Sequence, residues 1–167
     1  MMQTTEVWQR GPVPGIDPYL MPVAHSLLQV KEDLGRLAST LRADRLWERP
    51  SGAASIGFHI RHLAGSTDRL LTYARGETLT ADQLAALRAE AVAGATLEVL
   101  IADAEAALDR ALVQVRTTPR DALLTERKVG RAGLPSTTLG LLFHAAEHAT
   151  RHMGQAITTA TISKDVP

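Results

Sequence analysis

Cysteine is absent from the chain. That excludes a disulfide framework and a thiolate nucleophile, and it leaves any bound metal to histidine and carboxylate ligands. Aromatic residues are scarce, at 4% against 45% apolar residues overall, so a core must be built mainly from Leu, Ala, Val and Ile. Ala and Leu lose little conformational freedom in a helix, which favours helical structure. Net charge is also missing: 18 Lys and Arg balance 18 Asp and Glu, leaving no basic field to draw nucleic acid or an anionic membrane. No stretch is long and apolar enough to span a bilayer, and the opening MMQTTEVWQRGPVPG lacks the charged-then-apolar order of a secretory leader. A cytoplasmic location is the expectation.

What is present fits one domain of 167 residues. Residues 1–17 carry Gly11, Pro12, Pro14 and Gly15 in quick succession and read as an extended arm without regular structure. Apolar residues then recur at helical spacing in four segments, about 19–41, 53–74, 96–116 and 137–161. Gly57 and Gly65 are weak spots in the second. Thr80 to Gln83 has the form of a capping box opening a short helix, inside a Gly76–Ala95 interval too long for a hairpin turn. Thr125–Pro135 reads as a loop or short hairpin, with Ser136 capping the last helix. The expected fold is all-α, a four-helix bundle over 18–162 with a long crossover between helices 2 and 3 and a tail at 163–167. Helices 2 and 3 then run parallel, with helix 4 opposed to helix 2.

Five of the six histidines fall on two of these helices: His59 and His62 on the second, and His144, His148 and His152 on the fourth. At 3.6 residues per turn, neighbours four apart lie on one face about 6 Å apart along the axis, so both can turn toward one ion. His144 and His152, roughly 12 Å apart in rise, cannot comfortably share an ion whose bonds are about 2.0–2.1 Å long. His148 therefore pairs with one of them. Antiparallel helices bring His62, near the middle of helix 2, to the height of His148. Spacing alone leaves His59 and His62 as rivals.

The segments SIGFHIRHLA, Ser55 to Ala64, and HAAEHATRHMGQ, His144 to Gln155, are where the sequence resembles the DinB-like (DinB/YfiT) superfamily of metal-dependent bundle proteins. The order of elements agrees over roughly residues 18–160. The resemblance implies a four-helix bundle with a long crossover, one helix 2 histidine on the metal, and an HxxxH pair from helix 4 followed by Gly-Gln. Carried over, the ligands fall on His62, His148 and His152, with Gly154 and Gln155 after the pair. His59, His144 and Gln155 then stand behind the ligands or line a pocket, and Gly154 permits close helix approach.

Other charged residues have plainer readings. Glu147 is a surface or interhelical charge, His25 a satisfied core or rim histidine, and Arg61, Arg69 and Arg151 belong to wet helix faces before they belong to an acidic substrate.

Three neutral imidazoles leave a position open on a tetrahedral ion, the arrangement of a catalytic site. The expected ion is zinc or nickel, with iron and manganese as alternatives. The resemblance implies an enzyme of thiol-S-transferase or hydrolase type acting with a small molecule, such as a low-molecular-weight thiol. The alternative is a non-catalytic bundle stabilised by metal or binding a small ligand. A homodimer is a further expectation.

Overall fold

Local capping chemistry sets where the helices begin. In the computed structural model, which describes residues 5–164, Asp17 accepts a hydrogen bond from the Tyr19 N–H at 2.9 Å. This opens a 3-10 turn, Pro18–Leu20, that leads into α1, Met21–Thr40. Ser55 caps α2, Ile56–Ala74, through the Phe58 N–H. Thr80 and Gln83 form the expected reciprocal box at the start of α3, Ala81–Ala89, and Thr96 caps α4, Leu97–Thr117. The segment expected as a loop or hairpin is a hairpin: β1, Glu126–Val129, pairs antiparallel with β2, Leu134–Thr137. Helix α5, Thr138–Lys164, follows directly. Ser136, expected as its cap, lies instead in β2 opposite Arg127, and Thr137 accepts the Gly140 N–H at 3.0 Å. A cap stands where extended backbone meets the first turn, and here the strand carries that junction one residue further.

The four long helices α1, α2, α4 and α5 make the expected bundle, with α3 inside the crossover between α2 and α4. Helix α2 packs on both α4 and α5, and α1 does the same from the opposite side. Side-chain pairings give the directions. Arg110 meets Asp68 and Arg75 meets Gln114, so α2 and α4 run parallel; His62 meets His148 and Ala74 meets Thr138, so α5 opposes α2. The inward stripes of Leu27, Leu34, Ile60, Leu63, Leu100, Leu108 and Leu142 are essentially inaccessible to solvent. Burial of each such side chain stabilises the bundle by about 1.5–3 kcal/mol. Small residues on α5, Ala145, Ala146 and Ala149, are buried as well.

Two helical glycines expected as weak spots are contact points. A Cβ on Gly57 would meet the Trp47 ring at 2.9 Å, and one on Gly65 would meet the Glu90 and Arg69 side chains. Trp47 is held in place by its indole N–H, which donates to the Ala95 carbonyl at 3.0 Å, and by the Arg61 guanidinium over its ring. Gly57→Ala is therefore expected to lower the unfolding free energy by about 1–2 kcal/mol in urea titrations, since the steric cost exceeds the gain in helix propensity. A stabilised variant would show that the indole moves freely. Gly154 makes no close approach: nothing lies within 4 Å of a Cβ built there, so the helix contact expected of it is not made within the described residues.

The expected arm contains a helical turn, Val7–Arg10, docked on α1. Val7 is buried, its N–H donates to Gln29 at 3.0 Å, and Arg10 pairs with Glu32 at 2.9 Å. Gly and Pro interrupt regular structure without preventing such a dock. Helix α5 also takes up the first two residues of the expected tail; residues 1–4 and 165–167 lie outside the described residues. Among the described residues no helix is long and apolar enough to cross a membrane.

Candidate metal centre

The antiparallel contact of α2 and α5 brings five histidines into one row. His62 Nε2 lies 2.9 Å from His148 Nε2, and the His62 and His152 rings have centroids 4.4 Å apart. One ligand atom from each of His62, His148 and His152 falls within 4.8 Å of the others, a group that could hold a metal ion. The structure thus brings together the three residues that the motif singled out. His59 is buried beside them, with its Nδ1 3.0 Å from His152 Nδ1. His144 is half exposed, its ring centroid 5.4 Å from that of His148. Gln155 is exposed on α5, and its side chain forms no hydrogen bond among the described residues. His25 stands apart, with Nε2 3.0 Å from the Gly11 carbonyl.

Several neighbours shape the row. The Phe58 ring stacks on His62 at 5.3 Å and meets His59 and His152 edge-on, walling one side with carbon. A cleft of about 220 Å³ opens next to it, lined by Arg49, Ala54, Ser55, Phe58 and Ala91. Glu147 pairs with Arg151 on the exposed side of α5. Arg61 donates to the carbonyls of Ala89 and Val92 at 2.9 and 2.5 Å, so it binds the crossover. Arg69 is buried and donates to Glu90 Oε1 at 2.7 Å, while Glu90 Oε2 lies 2.6 Å from His62 Nδ1. Neither arginine serves its helix as the wet face expected of it. Glu90 and Phe58 were not visible as site neighbours: Glu90 follows α3 in the crossover, where no apolar period ties it to a helix face.

The electrostatics suit neutral imidazoles. Burial, then the charges of His62, His148 and His59, push His152 down to about 4. Burial followed by His62 also lowers His148 and His59. Neutral imidazole is the ligating form, since protonation occupies the lone pair a metal needs. Among the described residues His148 Nδ1 is buried without a hydrogen-bond partner, as fits an imidazole placed for something other than a protein hydrogen bond. The donor set therefore fits a divalent ion that accepts nitrogen ligands.

These lowered values carry a consequence for the metal-free protein. His59, His148 and His152 take up protons at lower pH folded than unfolded, so between about pH 6.5 and pH 4 the unfolded chain binds more protons. Stability is complete above the ordinary histidine value and falls as pH drops through this window. Melting curves in chelator are expected to shift to lower temperature from pH 7 to pH 5; a flat or rising profile would contradict buried neutral imidazoles.

No curated protein matches the sequence. Among solved structures, a crystal structure from Exiguobacterium sibiricum assigned to the DinB family superposes with a TM-score of 0.70 at 17% identity, covering 91% of this chain and 97% of that one. At that identity the likeness shows the fold alone. The family model described as the DinB superfamily matches residues 26–156, which include α2, the crossover and every histidine of the row. The chain belongs to the DinB superfamily.

Proposed function

We propose that the chain is a metal-dependent enzyme that holds one divalent ion, zinc or nickel before iron or manganese, on His62, His148 and His152. The observation that carries this reading is the convergence of those three ligand atoms within 4.8 Å of one another. Three protein ligands leave a further position for water or substrate. When bound, a divalent ion supplies charge that lowers the pKa of a neighbouring water or thiol toward neutrality. The protein's own part is positioning. His59 Nδ1 holds the His152 ring at Nδ1, Phe58 keeps water from one flank, and Arg49 stands at the rim of the adjoining cleft.

The reaction class is thiol-S-transfer or hydrolysis, with a low-molecular-weight thiol as the first substrate to try. The test compares zinc-loaded, nickel-loaded and chelator-stripped protein in the consumption of cysteine by an activated aryl chloride, and in the hydrolysis of an activated ester. Turnover in one assay that vanishes on stripping and returns on reloading is the expected result. Equal rates with and without metal would contradict it.

A second reading rests on the placement of the ligands across two helices. An ion shared by His62 on α2 and by His148 and His152 on α5 would cross-link the pair and stabilise the bundle without chemistry. A zinc-dependent rise in melting temperature with no turnover in either assay favours this reading.

A further inference from the structure

Glu90 is a buried carboxylate, 5% exposed, on the first residue past α3. Its Oε2 lies 2.6 Å from His62 Nδ1 and its Oε1 accepts from Arg69 Nη1 at 2.7 Å. The crossover that carries it is pinned on both sides of it, because Arg61 donates to the carbonyls of Ala89 and Val92. Helix α2 makes room for the carboxylate with Gly65, where a Cβ would come within 2.6 Å of Glu90 Oε1 and 2.8 Å of Arg69 Nη1. Three separate features of α2, His62, Gly65 and Arg69, thus converge on one oxygen pair.

A carboxylate paired with a guanidinium, as Glu90 is with Arg69, only accepts hydrogen bonds. Its partner nitrogen, His62 Nδ1, must therefore carry the proton, which leaves the lone pair on Nε2, the atom that faces His148 at 2.9 Å. A ring held this way has its tautomer and its rotation chosen before any ion arrives. We propose that Glu90 is a positioning residue for the metal centre, a carboxylate on the crossover that fixes His62 as the Nδ1–H tautomer with Nε2 turned to the ion. Arg69 orients the carboxylate and Gly65 leaves it space. This inference rests on the metal-centre reading above and adds to it a dependence on a segment 28 residues away in sequence.

The test uses the full chain with Glu90→Ala, Glu90→Gln and Gly65→Ala, the last of which keeps the carboxylate in the chain but displaces it. Zinc affinity is measured by competition with a chromophoric chelator, and the His62 tautomer by nitrogen-15 NMR of the metal-free protein. Wild type is expected to bind one zinc and to show His62 as Nδ1–H. Glu90→Ala and Gly65→Ala should weaken zinc binding by about 10–100-fold and populate the Nε2–H form. Glu90→Gln, which keeps an acceptor oxygen for His62, should recover part of both. Unchanged affinity and tautomer in Glu90→Ala and Gly65→Ala, with wild type binding zinc, would overturn the role of Glu90 alone. Failure of wild type to bind zinc would overturn the metal-centre reading and this inference with it.

Discussion

His148→Ala is expected to take the protein from one divalent ion per chain to almost none. His148 closes a triangle with the other two histidines, its ring centroid 5.1 Å from that of His62 and 4.6 Å from that of His152, so its loss leaves two imidazoles on different helices and no third donor of the set. Removing a direct ligand should cost more than the about 10–100-fold that follows loss of a residue merely supporting one. His62→Ala should behave alike, whereas His144→Ala and His25→Ala should keep their metal. Thermal stability separates this from unfolding. Zinc at a hundredfold its dissociation constant should stabilise wild type by about 2.7 kcal/mol and His148→Ala by nearly nothing. Metal-free His148→Ala should differ little from wild type, because removing a buried Nδ1 that has no partner among the described residues offsets the loss of the Nε2 contact with His62. Elemental analysis with melting curves checks each point, and equal metal content in wild type, His62→Ala and His148→Ala would refute the assignment.

The second large effect concerns stability. Arg69→Met is expected to lower the unfolding free energy of the metal-free protein by about 3 kcal/mol, because it leaves the Glu90 carboxylate buried without its guanidinium. Arg69 and Glu90 side chains are 10% and 6% exposed, so water replaces the lost partner poorly. The double variant Arg69→Met with Glu90→Met should lose less than Arg69→Met alone, since removing both charges avoids the stranded one. Urea titrations of the four proteins at pH 7 provide the cycle. A double variant as unstable as the sum of its singles would show that the two residues act independently.

The bundle was legible because its signals are local and repeated. Leucines at helical spacing mark the long helices, and Thr80 with Gln83 marks α3 through a cap that needs no tertiary contact. The histidine row was legible for the same reason, as residues four apart on α5 must share a face. What spacing left open on α2 depends on rotation about the helix axis. That rotation follows from packing: Ile60 and Leu63 go into the core and Trp47 lies on Gly57. It turns His62 toward His148 and His59 toward His152, so both rivals reach the row in different roles.

Three features escaped because they are long-range. Gly65 carries no sign in its own helix that Glu90 will lie against it, and Arg69 looks like any exposed helical arginine until the crossover covers it. The turn at Val7–Arg10 is stabilised by Gln29 and Glu32, residues of another helix. Ser136 and Thr137 are both capping residues by type, Ser the stronger, and the register of the hairpin, with Glu126 opposite Thr137, decides for Thr137.

X-ray absorption at the zinc edge of wild-type protein loaded with one equivalent tests the central claim most directly. Three imidazole nitrogens at about 2.0–2.1 Å, with the multiple-scattering pattern of histidine, are the expected result. A first shell without imidazole, or one that is unchanged in His148→Ala, would contradict a centre built from His62, His148 and His152.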